Sequence, residues 1–255
     1  MHHPSSPRWL ALVLGIALTL LHGTAQADRV PVALAANFAV PLKELAVAFK
    51  TQTGHDLDIT AASTGKLYAQ IRAGAPFAVL LSADVTTPQK LEAEGKTVAG
   101  TRFTYAIGRL ALWSPKPGLV DAQGKVLETG QFAHLALANA KLAPYGLAAE
   151  TVLQGLGVYD RLQAKLVRGE NIAQTYQFVS TGAAELGFVA QSQIWQDGKL
   201  RAGSAWLIPA VTYPPLRQDG VLLKDQPAAR ALLDFLKSAS ARSLIQRFGY
   251  DLPPS

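Results

Sequence analysis

The chain has 255 residues, 24 of them Lys or Arg against 18 Asp or Glu, for a net charge of +6. The basic residues are scattered, with no dense run and no interleaved aromatics, which argues against nucleic acid as a partner. There is no cysteine, so a disulfide framework and a lipid-bearing cysteine are both excluded.

Residues 1–27 read as a secretory signal peptide: Arg8 supplies the positive start, "WLALVLGIALTLL" the apolar core, and "AQA" at 25–27 the small-residue cleavage site. That core falls short of the ~20 apolar residues of a membrane span. Export would place the chain from Asp28 onward in a bacterial periplasm, free of the membrane.

From there strands and helices alternate. "VPVALAA" predicts a strand and "PLKELAVAFKTQTG" a helix, with Pro41 in its first turn, Leu42, Leu45 and Phe49 on one face, and Gly54 as its stop. "LDITA" is a second strand, "KLYAQIRAG" a second helix and "FAVLLSAD" a third, almost wholly apolar strand. Asp84 is placed to cap a helix starting near Thr86. "FTYAIGRLALWSPKPG" predicts one long strand ending in a Pro/Gly turn. A second run follows: strand "HLALAN", helices "YGLAAETVLQGLG" and "NIAQTYQFVSTG", and strand "ELGFVAQ". The extended "SAWLIPAVTYPPL", the strand "GVLLK" and the helices "PAARALLDFLK" and "ARSLIQRFG" close the chain.

Apolar strands alternating with helices predict parallel sheets covered on both faces. The expected class is α/β, with two lobes joined by extended crossings near 104–113 and 204–212. Residues 28–106 and 209–255 would form one lobe and 107–208 the other. Ligands of open α/β sheets bind beyond the carboxyl ends of the strands, which here means a cleft between the lobes.

Four segments end a strand and begin a helix with small or polar residues: "AANF" at 35–38, "ASTG" at 62–65, "APYG" at 143–146 and "ENIA" at 170–173. Free N–H groups and the helix dipole favour an anion at such places. The alternative is local, with Asn37, Ser63 or Thr64 capping its own helix. "AASTGKLYAQI" is not a nucleotide P-loop, because Thr60 stands where the first Gly is needed and Leu67 where Ser or Thr must follow the Lys. An enzyme using Ser63 or Thr64 as nucleophile would need a general base. After residue 27 only His55 and His134 remain, neither close in sequence to the hydroxyls. No clustered His, Cys or carboxylate pattern suggests a metal site.

"VALAANFAVPLKELAVAFKTQTG", "AGAPFAVLLSAD", "RFTYAIGRLALWSPKPGL", "LAPYGLAAETVL" and "GAAELGFVAQSQI" resemble the periplasmic molybdate-binding proteins of ABC transporters, along essentially the whole chain after residue 27. The resemblance implies a type-II periplasmic binding-protein fold, two lobes closing by hinge motion on a tetrahedral oxyanion. Molybdate or tungstate would be held through its oxygens, with no direct protein–metal ligand and no cofactor. It also implies membrane permease subunits as partners and a monomeric, non-enzymatic protein. By position, it assigns the ligand donors to Asn37 with Ala36 beside it, Thr64 next to Ser63, Tyr145, and the backbone at Ile172. Ala36 stands where some members have a hydroxyl, and Ala190 where others have a tyrosine, whose place Tyr145 would take. Molybdate is fully deprotonated at neutral pH and suits a site of donors alone, whereas hydrogen phosphate needs an acceptor. The nearest carboxylate in these segments is Glu170, expected to point outward. A receptor for sulfate or another oxyanion is the alternative within this fold.

Overall fold

A computed structural model describes residues 28–254, so the signal peptide expected at 1–27 lies outside the described residues. The chain opens with β1 (Arg29–Ala35), one 3-10 turn (Ala36–Phe38), α1 (Ala39–Thr53), β2 (Asp56–Ala62), α2 (Thr64–Arg72), β3 (Val79–Leu81) and α3 (Thr86–Ala93). β4 (Phe103–Gly108) and β5 (Leu110–Ser114) lead to α4 (Val126–Thr129), β6 (Leu135–Ala138), α5 (Pro144–Gly155), α6 (Tyr159–Leu162), β7 (Leu166–Gly169), α7 (Ile172–Ser180) and β8 (Leu186–Ala190). After α8 (Gln191–Ile194) come the hairpin of β9 (Trp195–Gln196) and β10 (Lys199–Leu200), then β11 (Ser204–Leu207), β12 (Leu216–Leu222), α9 (Pro227–Lys237) and α10 (Ala239–Arg247).

Two five-stranded sheets organise these elements, in the orders β2-β1-β3-β12-β4 and β11-β5-β8-β6-β7. β1, β2 and β3 run parallel, as do β6, β7 and β8, while β12 and β5 run antiparallel to their neighbours. The chain leaves the first sheet after Gly108 and returns between Leu207 and Leu216, so two crossings join two lobes.

Strand alternation sets which face each residue covers. In β1, Val30, Val32 and Leu34 pack with α1, α9 and α10, while Ala33 turns to α2 on the other face. In β8, Leu186 and Phe188 join the α5 side and Val189 the α7 side. Both sheets are thus sandwiched between helices, which is why their strands read as apolar runs.

Two strand expectations differ from the structure. The stretch from Phe103 is two strands, because β4 pairs with β12 in one sheet and β5 with β8 in the other, and Arg109 between them is where the ladder partner changes. The strand expected at Gly220 begins at Leu216. Its first half reads as polar, yet Gln218 and Asp219 are 0% and 1% exposed. Asp219 is satisfied there by Arg102 at 2.8 Å and Thr104 at 2.7 Å, so polar residues occupy a buried strand at no cost in unmet hydrogen bonds. No helix of the described residues is long and apolar enough to cross a membrane.

Candidate functional site

The four strand-to-helix segments converge. The 3-10 turn at Ala36–Phe38, α2, α5 and α7 all start at one small cavity between the lobes. Ala36, Asn37, Ser63, Thr64, Tyr145 and Ile172 all line it, together with Ala35, Ala62, Ala83, Ala143, Pro144 and Asn171. Its space for the centres of water-sized molecules is about 10 Å³, room for about one such centre. That excludes an extended organic ligand. A wider groove of about 410 Å³ opens beside it, lined by Tyr68, Lys90, Leu142 and Leu216 among others. It holds none of the six residues expected from sequence, so the small cavity is the candidate site.

The local alternative, helix capping, fails where it mattered. Ser63 is the N-cap of α2 by backbone geometry, with φ −67° and ψ 149°, but its side chain makes no cap bond. Its Oγ is buried and has no hydrogen-bond partner among the described residues. Thr64 Oγ1 accepts from Ala83 N–H at 3.2 Å, which leaves its proton available. Ala143, the N-cap of α5, offers no side-chain cap, and Pro144 at the first position of that helix has no N–H to satisfy. Of the helices that start at the cavity only α7 has a side-chain cap, Asn171, whose Oδ1 accepts from Ala173 N at 2.9 Å and Gln174 N at 3.0 Å. That cap passes over Ile172, which lines the cavity, so the first N–H of the helix has no side-chain partner there. Gln193 steadies the same residue by donating to Ile172 O at 3.0 Å.

Asn37 differs from the expectation of an amide donor. Its Nδ2 donates to Gln218 Oε1 at 2.8 Å and to Tyr250 Oη at 3.0 Å, so both amide hydrogens turn away into a buried network. What Asn37 has left for a ligand is its backbone N–H at the start of the first helical turn. Tyr145 is 2% exposed, and its hydroxyl accepts from Gln218 Nε2 at 3.2 Å. Burial holds its ionisation well above the usual tyrosine value, which keeps it a neutral donor. Ala190 is wholly buried at the end of β8 and has no place in the lining.

Among the described residues no charged side chain lines the cavity. Glu170 is exposed and pairs with Lys66 at 3.7 Å across the cleft mouth. Asp84 caps α3 by accepting from Thr87 N at 2.9 Å. His134 is exposed, while His55 is half-buried and accepts from Asp28 N at 3.2 Å. Neither histidine reaches the hydroxyls. No group of three His, Cys, Asp or Glu capable of holding a metal occurs among the described residues. The network behind the site (Gln218, Tyr105, Tyr250 and Ser192) escaped sequence reasoning. These residues lie far apart in the chain, and no short-range pattern marks them.

Two lobes closed on a small, uncharged, donor-lined cavity define a solute-binding protein of the two-lobed type. A model of the bacterial extracellular solute-binding protein family matches residues 30–251, and the chain is 54% identical over 244 residues to the molybdate-binding protein ModA of Azotobacter vinelandii, covering 94% of this chain and 97% of that protein. The ModA protein of Rhodobacter capsulatus is 48% identical over 244 residues, covering 94% and 93%. The solved periplasmic molybdate-binding protein of Azotobacter vinelandii superposes with a TM-score of 0.85 at 44% identity, covering 88% of this chain and 100% of that one. The chain belongs to the bacterial extracellular solute-binding family and, within it, to the ModA molybdate-binding proteins. The sulfate-binding protein SubI of Mycobacterium tuberculosis, at 12% identity and a TM-score of 0.64, shares the fold alone.

Proposed function

We propose that this protein captures molybdate, and tungstate with it, in the periplasm by closing its two lobes, and presents it to the membrane permease of an ABC transporter. The observation that carries the reading is the cavity itself: Ser63, whose buried Oγ has no partner among the described residues, lines a space at which three helices and one 3-10 turn begin and into which no charged side chain of the described residues reaches. A buried hydroxyl left unpaired costs about 1–3 kcal/mol, a penalty that an oxyanion removes on binding. An all-acceptor dianion is satisfied on every side there, held by dipoles and fixed donors. Hydrogen phosphate brings a proton, and the lining offers no carboxylate to receive it. Sulfate shares the all-acceptor chemistry and is selected against by size alone.

The relatives' shared role and the absence of a base beside Ser63 and Thr64 favour a receptor, acting as a monomer, over a hydrolase. Closure then follows from binding: a ligand that bridges both lobes stabilises the form in which its donors meet. Titration calorimetry with molybdate, tungstate, sulfate and phosphate tests this. One-to-one binding of the first two, weaker sulfate and no phosphate heat are expected. Phosphate or sulfate binding more tightly than molybdate would overturn the ligand.

A further inference from the structure

The cavity attracts an anion only at short range. Among the described residues its lining holds no charged side chain, and the field of a helix start fades within its first turn. A dianion diffusing toward the cleft therefore meets the charges outside the cavity first. Ala83, Ala143 and Pro144 line both the cavity and the wider groove beside it, so the groove is the outer part of the same cleft. Gly65 and Leu142, whose backbone bond joins the two lobes at 2.9 Å, also lie in its wall. The seam between the lobes thus runs along the groove.

Two cations line that groove, Lys90 on α3 of the first lobe and Lys141 just before α5 of the second. Both are exposed, and neither has a carboxylate within ion-pair distance among the described residues. The acid in the same lining, Asp84, is engaged at the start of α3, where it accepts from Thr87 N at 2.9 Å and from Thr87 Oγ1 at 3.2 Å. Lys66 at the cleft mouth faces Glu170 at 3.7 Å, a pair without net charge. The groove is left net positive, with one unpaired lysine from each lobe.

We infer that Lys90 and Lys141 are an electrostatic entrance: they draw the oxyanion into the groove and set how fast it is captured, while the uncharged donors behind them set how tightly it is held. The inference rests on the oxyanion-receptor reading above and adds the residues that govern its rate. Charges at a rim act on encounter and its salt dependence more than on residence.

The test is stopped-flow mixing of the purified protein with molybdate, followed by tryptophan fluorescence, with calorimetry giving the affinity, each at ~20 mM and ~500 mM salt. Wild type is compared with Lys90→Glu, Lys141→Glu, the double variant and Lys96→Glu. Lys96 is an exposed lysine that matches each single change in charge. It lies beside Val98, which bonds Leu222 O at 2.9 Å, and Leu222 pairs with Val79 at the end of β3 away from Ala83. At ~20 mM salt the association rate should fall ~3- to 10-fold in each single variant and further in the double. At ~500 mM it should return to within about twofold of wild type. The dissociation rate should stay within about twofold, so the calorimetric affinity falls by the same factor as the association rate. Lys96→Glu should match wild type within about twofold. A loss that persists at high salt, sits in the dissociation rate or is equalled by Lys96→Glu overturns the inference while wild-type binding of molybdate stands. A wild-type protein that gives no molybdate heat overturns the ligand reading and the inference together. Should the double reversal fail to melt cooperatively, Lys90→Gln with Lys141→Gln carries the same test with a smaller expected loss.

Discussion

Ser63 and Thr64 are neighbours with the same functional group and different duties. Thr64 Oγ1 is the acceptor for a backbone N–H of the third strand-to-helix loop, whereas Ser63 Oγ serves nothing within the described chain. Ser63→Ala should therefore weaken molybdate binding by ~10- to 100-fold, the range for a hydrogen bond to a charged group, and stabilise the free protein, by up to about 1–3 kcal/mol, because an unpaired buried hydroxyl is removed. Thr64→Val should cost the free protein about 1–3 kcal/mol, because the Ala83 N–H is left buried and unpaired. Calorimetry and urea unfolding on the two variants separate the cases, and a Ser63→Ala protein that unfolds as easily as Thr64→Val would contradict this division of roles. All six residues singled out from sequence line the cavity, but which atom each presents was not legible. The Asn37 amide is spent on Gln218 and Tyr250, partners 181 and 213 positions away that no local pattern reveals.

Among the elements, the start of α2 does more than line the site. Gly65 donates its N–H to Leu142 O at 2.9 Å across the cleft, so a backbone bond of the first lobe closes directly on the second. A Cβ at Gly65 would lie 3.2 Å from that oxygen and 3.3 Å from Leu142 Cα. Gly65→Ala should wedge the lobes apart by a few tenths of an ångström and lower ligand affinity roughly 3- to 10-fold, by thinning the closed population. Small-angle scattering should show less compaction on adding molybdate than in wild type, and equal compaction with equal affinity would remove Gly65 from the closing contact. The adjoining Lys66–Glu170 pair is exposed on both sides, so it adds little beside this bond. Helix starts and apolar strands were readable because their signals are local: Pro41, Asp84 and the Val/Leu runs sit where predicted. Four-residue helices such as α4 and α6, and the hairpin of β9 and β10, are too short for periodicity to show.

At the scale of the molecule, the two lobes share a buried core of tyrosines on their hinge side. Burial pushes Tyr250 up to about 12, and Tyr105 and Tyr145 well above the usual value. An unfolded tyrosine ionises near pH 10. Below that pH both states are neutral and the stability is fully present. Above it the unfolded chain loses its protons first, and stability falls as pH rises through about 10 to 12. Urea unfolding at pH 8, 10 and 11 should show this decline, with a shallower slope in Tyr250→Phe, and a flat profile would sink the argument. Below pH 10 the hydroxyl of Tyr145 stays a donor, so its contribution to binding should not vary with pH there.

By itself the sequence determined the α/β class, the two-run layout and the four strand-to-helix segments that meet at the cavity. Each of those depends on neighbours within a few residues: alternation, a proline, a cap position, a glycine stop. Tertiary structure alone decided the polarity of the site. Where the Asn37 amide points and why a side chain at Gly65 would crowd Leu142 both depend on atoms that the fold brings together from distant parts of the chain. The change of sheets at Arg109 belongs with them, because pairing is a property of the partner strand, and a strand's own residues do not record which partner that is.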